Sequence, residues 1–133
     1  MKAMNGSPIT ILAIDADHEA STTLAAILSD AGYVCRCVDS ACAAAEAVRD
    51  ATPDLIICDV NLAGHSGTIA CEQLRAAAGL GDVPLMFLSA MQSPDIIRRS
   101  HSAGGTYYLR KPFDPKVLVE LVEKALLVPH LSA

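Results

Sequence analysis

Short runs of apolar residues alternate along the chain with segments in which apolar residues recur every three to four positions. The continuous runs predict five β-strands, over residues 9–14, 33–38, 54–58, 83–88 and 106–109. Because nearly every position in most of these runs is apolar, they are typical of parallel strands covered by helices on both faces. Residues 33–38 show an alternating pattern instead, which favours the edge of the sheet.

The intervening segments carry the period and the end signals of α-helices. Apolar residues recur at i, i+3, i+4 and i+7 from Leu24, and Gly32 follows as a C-terminal stop. Two later helices begin with a capping residue followed by proline, at Ser93-Pro94 and Asp114-Pro115. This strict alternation predicts an α/β fold, in which right-handed crossovers place helices on both faces of a parallel sheet.

The length and composition fit one folded domain. The chain has 133 residues, which is enough for a substantial core. Hydrophobic residues make up 52% of it and the mean hydropathy is +0.36, so the composition argues against disorder. We expect a folded domain over residues 9–128, a flexible lead over residues 1–8 and a C-terminal tail over residues 129–133.

The net charge of the chain and the lack of membrane and secretion signals reduce the number of plausible functions. The net charge is −5 and the isoelectric point is near 5.2, which argues against direct nucleic-acid binding and favours a cationic partner or a bound cation. No segment approaches the roughly 18–20 apolar residues of a membrane helix, and the N-terminus lacks the apolar stretch of a signal peptide. We therefore expect a cytoplasmic protein that does not contact the membrane. The five cysteines form no Cys-x-x-Cys pair and are expected to be reduced thiols.

Reactive side chains follow four of the predicted strands, at Asp15, Asp59, Ser89 and Lys111. Because the carboxyl ends of parallel strands meet at one edge of an open α/β sheet, we expect these groups to converge. Two neighbouring carboxylates repel each other unless a cation neutralises them. Asp15, Asp59 and a backbone carbonyl from the loop after Asp59 would form a minimal Mg²⁺ site, since Mg²⁺ takes few carboxylates and accepts phosphate oxygens.

Asp59 is also a candidate nucleophile, because carboxylates form aspartyl-phosphate intermediates. Phosphoryl transfer depends on positioning and on neutralising charge at the phosphoryl oxygens. Lys111 would supply a cation to these oxygens, and the Ser89 hydroxyl would supply a hydrogen bond. Asp17 is better suited to capping the first helix than to this chemistry.

From residue 9 to residue 127 the sequence resembles the receiver domains of two-component response regulators, and in particular single-domain receivers of the chemotaxis type. Four segments carry the resemblance, in the order of the family: residues 11–15 (ILAID), 59–67 (DVNLAGHSG), 88–90 (LSA) and 111–113 (KPF). The resemblance implies a flavodoxin-like, doubly wound (βα)5 fold with a five-stranded parallel sheet of order 2-1-3-4-5.

The resemblance also implies a role for each matching residue of the reaction site. Asp59 matches the phosphoacceptor, and Asp15 matches the first acid of the Mg²⁺ site. Asn61 matches the position whose backbone carbonyl binds the metal.

Further matches fall on the residues that respond to phosphorylation. Ser89 matches the switch hydroxyl, and Tyr108 matches the aromatic residue that turns with it. Lys111 matches the lysine that contacts the phosphoryl group. The bond between Lys111 and Pro112 is expected to be cis.

Two positions depart from the family pattern. Ala16 replaces the second acid of the metal site, so Mg²⁺ affinity is expected to fall unless Asp17 reaches in from the next position. Ala63 replaces a proline, which is expected to loosen the loop after Asp59. Both departures leave the nucleophile, the lysine and the hydroxyl in place.

Three functions are compatible with these features. The favoured one is a signalling switch that catalyses only its own phosphorylation and dephosphorylation. It would accept a phosphoryl group on Asp59 from a sensor histidine kinase or a histidine phosphotransfer protein. Its fourth helix, fifth strand and fifth helix would then bind a downstream protein or output domain, or form a homodimer.

The second is a degenerate receiver that binds partners without phosphorylation, as Ala16 and Ala63 would allow. The third, a cofactor-binding flavodoxin-like enzyme, is disfavoured because no glycine-rich phosphate-binding motif is present.

Overall fold

The computed structural model describes residues 6–91 and 93–127, so most of the expected lead and all of the expected tail lie outside the described residues. The elements follow one another in the predicted alternation. In chain order the structure contains β1 (Thr10–Ile14), α1 (His18–Asp30), β2 (Val34–Val38), α2 (Ala41–Asp50), β3 (Leu55–Asp59), β4 (Asn61–Leu62), β5 (His65–Ser66), α3 (Gly67–Ala78), β6 (Leu85–Ser89), α4 (Pro94–Ser102), β7 (Tyr107–Arg110) and α5 (Pro115–Leu127).

Five of these strands form one parallel sheet with the order β2-β1-β3-β6-β7. Counted within this sheet alone, the order is 2-1-3-4-5, so the predicted flavodoxin-like topology is confirmed. Every residue of β3 and β6 is buried, which explains why these two runs are apolar without alternation. Strand β2 lies at the sheet edge, as its pattern predicts.

Helices cover both faces of the sheet and enclose two apolar cores. On one face, Leu24 and Leu28 of α1 pack with Leu118 and Val122 of α5. On the other face, the core includes small and medium-sized side chains of α2 and α3, among them Ala44, Ala47, Cys71 and Leu74. Because both faces are covered, the strand ends are the place where polar groups reach solvent.

A short antiparallel hairpin follows β3. Strands β4 and β5 pair Asn61 with Ser66 and Leu62 with His65. The turn residues Ala63 and Gly64 have φ values of 52° and 91°, as a two-residue hairpin turn requires.

The hairpin corrects the expectation that Ala63 loosens this loop. Proline could not hold the conformation of Ala63, because its ring fixes φ near −65°. The alanine therefore permits a closed turn in place of a looser connection.

Among the helices of the described residues, none combines the length and the apolar character needed to cross a membrane.

Candidate functional site

Three strands bring the predicted reactive residues to the same edge of the sheet. Asp15 directly follows β1, and its amide donates to the carbonyl of Val38 at the end of the neighbouring β2 (3.0 Å). Asp59 and Ser89 are the last residues of β3 and β6. Only 5% of Asp15, 8% of Asp59 and 1% of Ser89 is exposed, so the polar groups sit at the boundary between core and solvent.

The Lys111 ammonium joins the two carboxylates. Its Nζ lies 2.7 Å from Oδ2 of Asp15 and 2.5 Å from Oδ2 of Asp59. Burial by itself lowers the pKa of Lys111, but the hydrogen bonds and opposite charges of Asp15 and Asp59 outweigh burial, so the pKa is raised. The lysine is therefore held as a cation between two acids that would otherwise repel each other.

Backbone amides fix the other oxygen of each carboxylate. The Asp17 amide donates to Oδ1 of Asp15 over 2.9 Å, and the Asn61 amide donates to Oδ1 of Asp59 over 2.8 Å. Each acid is thus held from both sides, by an amide two residues later and by Lys111. These two contacts fix the orientation of the Asp59 carboxylate.

Gly67 allows the backbone at the end of the hairpin to pack closely against the backbone of Asp59. A Cβ atom at this position would collide with the backbone carbonyl oxygen of Asp59. The Gly67 amide also donates to the Val60 carbonyl over 2.8 Å, which closes the loop. The glycine is therefore required for close approach of two backbone segments beside the acid.

Asp17 serves as the N-cap of α1. Its Oδ1 accepts hydrogen bonds from the amides of Glu19 (3.0 Å) and Ala20 (3.4 Å). The carboxylate lines the same cavity as Asp15 and Asp59, but one of its oxygens is engaged with the helix. The capping role predicted for Asp17 is therefore confirmed.

The donor set suits a hard divalent cation. Asp15 and Asp59 supply adjacent carboxylate oxygens, and Asn61 lines the same cavity. Oxygen ligands of this kind are those that Mg²⁺ takes in proteins. Ala16 contributes no ligand from its side chain, so the set has one acid fewer than the family pattern.

The Ser89 hydroxyl is hydrogen-bonded to the loop that follows β6. It donates to the Met91 carbonyl over 2.7 Å and accepts from the Met91 amide over 3.0 Å. The Tyr108 hydroxyl donates to the same Met91 carbonyl. The predicted cis bond between Lys111 and Pro112 is present.

An open cavity of about 700 Å³ lies above Asp59. Its wall includes residues that the strand-end pattern did not reveal: Ser66, Thr68, Ile96 and Arg99. Arg99 lies within α4 and not at a strand end, so the packing of that helix places it here. His65, from the hairpin after Asp59, lines the cavity as well.

Comparison with known proteins identifies the family. The sequence model of the response regulator receiver domain matches residues 11–123. The chain belongs to the response regulator receiver domain family. This receiver domain is 33% identical over 116 residues to the DNA-binding response regulator MtrA of Mycobacterium tuberculosis (strain ATCC 25618 / H37Rv), a match that covers 87% of the chain and 50% of MtrA. It is 32% identical over 127 residues to the transcriptional regulatory protein ZraR of Escherichia coli (strain K12), covering 96% of the chain and 28% of ZraR.

Solved structures agree with this assignment. The chemotaxis protein CheY4 of Vibrio cholerae superimposes with a TM-score of 0.84 at 25% identity, over 90% of this chain and 99% of CheY4. A putative response regulator from Chloroflexus aurantiacus J-10-fl gives a TM-score of 0.84 at 32% identity, over 90% of this chain and 98% of that one. The chain thus spans the length of single receivers, but only half the length of the MtrA proteins it matches.

The family assignment establishes the general function. The protein is a receiver domain of two-component phosphorelay signalling, a switch whose class accepts a phosphoryl group on an aspartate. Receiver domains generally bind Mg²⁺ in their acidic pocket, and they interact with histidine kinases or phosphotransfer proteins and with output domains.

Proposed function

We propose that Asp59 is the phosphoacceptor of this receiver domain. The observation that carries the proposal is the position of the Lys111 ammonium, which bonds both Asp59 and Asp15 at the mouth of the cavity. A carboxylate oriented by the Asn61 amide and faced by a cation is ready for nucleophilic attack on a phosphoryl group.

The transfer is a single displacement at phosphorus. A lone pair of an Asp59 carboxylate oxygen forms a new O–P bond while the P–N bond of the donor phosphohistidine breaks. The departing imidazole keeps the electron pair of that bond and takes up a proton from solvent. Lys111 balances the charge on the phosphoryl oxygens during and after the transfer.

We assign the metal site to Asp15, Asp59 and the backbone carbonyl of Asn61. Mg²⁺ would supply charge neutralisation for the phosphoryl oxygens at this site. Asp17 caps α1, so we leave it out of the set. Because Ala16 stands in place of an acid, only the carboxylates of Asp15 and Asp59 would attract Mg²⁺. The Lys111 ammonium competes with the metal for these two carboxylates.

Ser89 and Tyr108 are the residues that report phosphorylation. A phosphoryl group on Asp59 offers new acceptors to the Ser89 hydroxyl, which now bonds Met91. When Ser89 turns, the Met91 loop and Tyr108 rearrange, and the surface formed by α4, β7 and α5 changes. A population shift of this kind alters affinity for a partner.

The partners follow from this scheme. A sensor histidine kinase or a histidine phosphotransfer protein donates the phosphoryl group. A downstream protein or an output domain binds the face formed by α4, β7 and α5, where a homodimer can also form. The acidic charge of the chain favours protein partners over direct contact with nucleic acid.

The test is an intact-mass measurement after incubation with Mg²⁺ and acetyl phosphate. One phosphoryl group should be added to the native protein and none to Asp59→Asn, which keeps the size of the side chain. Asp54→Asn is a matched control, because Asp54 precedes the same strand and bonds Thr10 away from the site. A folded native protein without an adduct would favour a phosphorylation-independent interaction module.

A further inference from the structure

A second cationic residue, besides Lys111, lines the cavity above Asp59. Arg99 and Ile96, three positions apart on α4, both line it. Long helical side chains lean back toward the helix N-terminus. For Arg99 this direction leads toward the β6–α4 connection, which begins after Ser89.

The present partner of Arg99 is easily exchanged. Its Nε lies 3.1 Å from Oδ2 of Asp95, one turn earlier, and the side chains are 64% and 57% exposed. Exposed helical pairs of this kind are weak, because solvent screens the two charges. The guanidinium can therefore move to a stronger anion at little cost.

Arg98 provides an internal comparison. Its Nη2 lies 3.7 Å from Oδ1 of the same Asp95, yet Arg98 is not among the residues that line the cavity. The two arginines share an acidic partner and a helix, but of the two only Arg99 lines the cavity that Asp59 also lines.

Phosphorylation would change the charge of this cavity. The Asp59 carboxylate carries one negative charge, whereas an acyl phosphate adds a group with up to two charges and three acceptor oxygens. Arginine is well suited to such a group, because its planar fork can bond two phosphate oxygens at once. Ala16 stands in the place of a metal-binding acid, so metal binding at the site is expected to be weaker. An additional protein cation would then contribute more to neutralising the phosphoryl oxygens.

We propose that Arg99 binds the phosphoryl group on Asp59. After transfer, its guanidinium leaves Asp95 and bonds phosphoryl oxygens. The exchange ties α4 to the phosphorylated site in addition to the Ser89 and Tyr108 rearrangement. This inference rests on the proposed role of Asp59, and it adds a direct contact from a helix of the partner-binding face.

The test compares four variants by their affinity for beryllofluoride, an analogue of the phosphoryl group on aspartate, in the presence of Mg²⁺. Backbone NMR shifts follow binding. Arg99→Gln should weaken binding about five- to twentyfold, whereas Arg98→Gln should stay within about twofold. Arg99→Lys should recover part of the loss, because it restores the charge without the fork. Asp95→Asn should strengthen binding, since it frees Arg99.

A second readout separates a charge contact from a structural role. The affinity of the native protein should fall more steeply with added NaCl than that of Arg99→Gln, because salt screens the guanidinium. Lifetimes of the acyl phosphate should follow the same ranking among the variants. A merely structural effect of Arg99 would leave the salt dependence unchanged.

The outcomes distinguish this inference from the proposed function. Native protein that gains an adduct on Asp59, with equal affinities for Arg99→Gln and Arg98→Gln, would overturn the role of Arg99 alone. A native protein that takes neither a phosphoryl group nor beryllofluoride would overturn the role of Asp59, and the role of Arg99 with it.

Discussion

Ser89 and Tyr108 donate their hydroxyl hydrogens to one acceptor, the carbonyl oxygen of Met91, over 2.7 and 2.5 Å. Ser89 ends β6, and Tyr108 is the second residue of the neighbouring strand β7. Because they share an acceptor, a turn of Ser89 toward Asp59 changes the bonding of the carbonyl on which Tyr108 depends. These bonds give the loop after β6 a defined conformation. Under the proposed switch, phosphorylation of Asp59 would reorganise it.

Removing the Tyr108 hydroxyl should loosen this loop without opening the core. Tyr108→Phe loses one exposed hydrogen bond, so the free energy of unfolding should fall by about 0.5–1 kcal/mol. Amide exchange at Met91 should accelerate by about two- to fivefold. Urea unfolding and hydrogen exchange measure the two effects. Tyr107→Phe, on the opposite face of β7, is the control, and equal exchange at Met91 in both variants would refute the shared anchor.

Restoring an acid at position 16 should strengthen metal binding. Ala16→Asp adds a third carboxylate beside Asp15 and Asp59, and Mg²⁺ affinity should rise by roughly tenfold, since one more charge close to a divalent ion outweighs its desolvation. Calorimetric titration with MgCl2 gives the affinity. Asp17→Asn keeps the helix cap and should change the affinity little. A large loss in Asp17→Asn would show that Asp17, and not Ala16, determines the site.

The Lys111 ion pairs should produce a pH-dependent part of the stability. The raised pKa means that the folded protein holds this proton more tightly than the unfolded chain does. The stabilisation is therefore fully present below the usual lysine value of 10.5 and is lost as pH rises through the raised pKa.

Comparison of the native protein with Lys111→Met isolates this contribution. The native advantage in the free energy of unfolding should be constant near neutral pH and should shrink above about pH 10.5. A hydrogen bond with Cys71, together with burial, raises the pKa of Cys58. Burial raises the pKa of Tyr33 and that of Cys35, the latter to about 12. Both proteins therefore also lose stability in alkali through these groups. Urea unfolding between pH 7 and pH 11.5 is the measurement, with Lys116→Met as the exposed control. A native advantage that stays constant over this range would contradict the ion pairs.

The close approach at Gly67 should make this position intolerant of any side chain. Gly67→Ala places a methyl group against the Asp59 carbonyl oxygen, so stability should fall by about 1–3 kcal/mol or more. Phosphorylation should slow as well, because Asp59 shifts. Gly81→Ala is the matched control, since an added Cβ there meets nothing within 4 Å. Equal urea midpoints for the two variants would show that the hairpin moves freely away from Asp59.

Short-range sequence patterns predict much of this architecture. Period and caps place the helices, as the Ser93 and Asp114 side chains accepting from the amides of Ile96 and Lys116 illustrate. Uninterrupted apolar runs identify the strands, because strands covered on both faces bury every side chain. The rule that strand ends meet at one edge then brings Asp15, Asp59 and Lys111 together before any coordinates are known.

Tertiary packing decided what local patterns leave open. The sequence predicts that Ala63 loosens its loop, but the fit of Gly67 against the Asp59 backbone accompanies a closed hairpin with positive φ at Ala63. The seating of α4 on the sheet brings Arg99 to the cavity. The shared bond to Met91 depends on the register of β6 and β7. Residue types and short-range order thus determine which groups are available, whereas distances between groups far apart in sequence arise only when the layers pack.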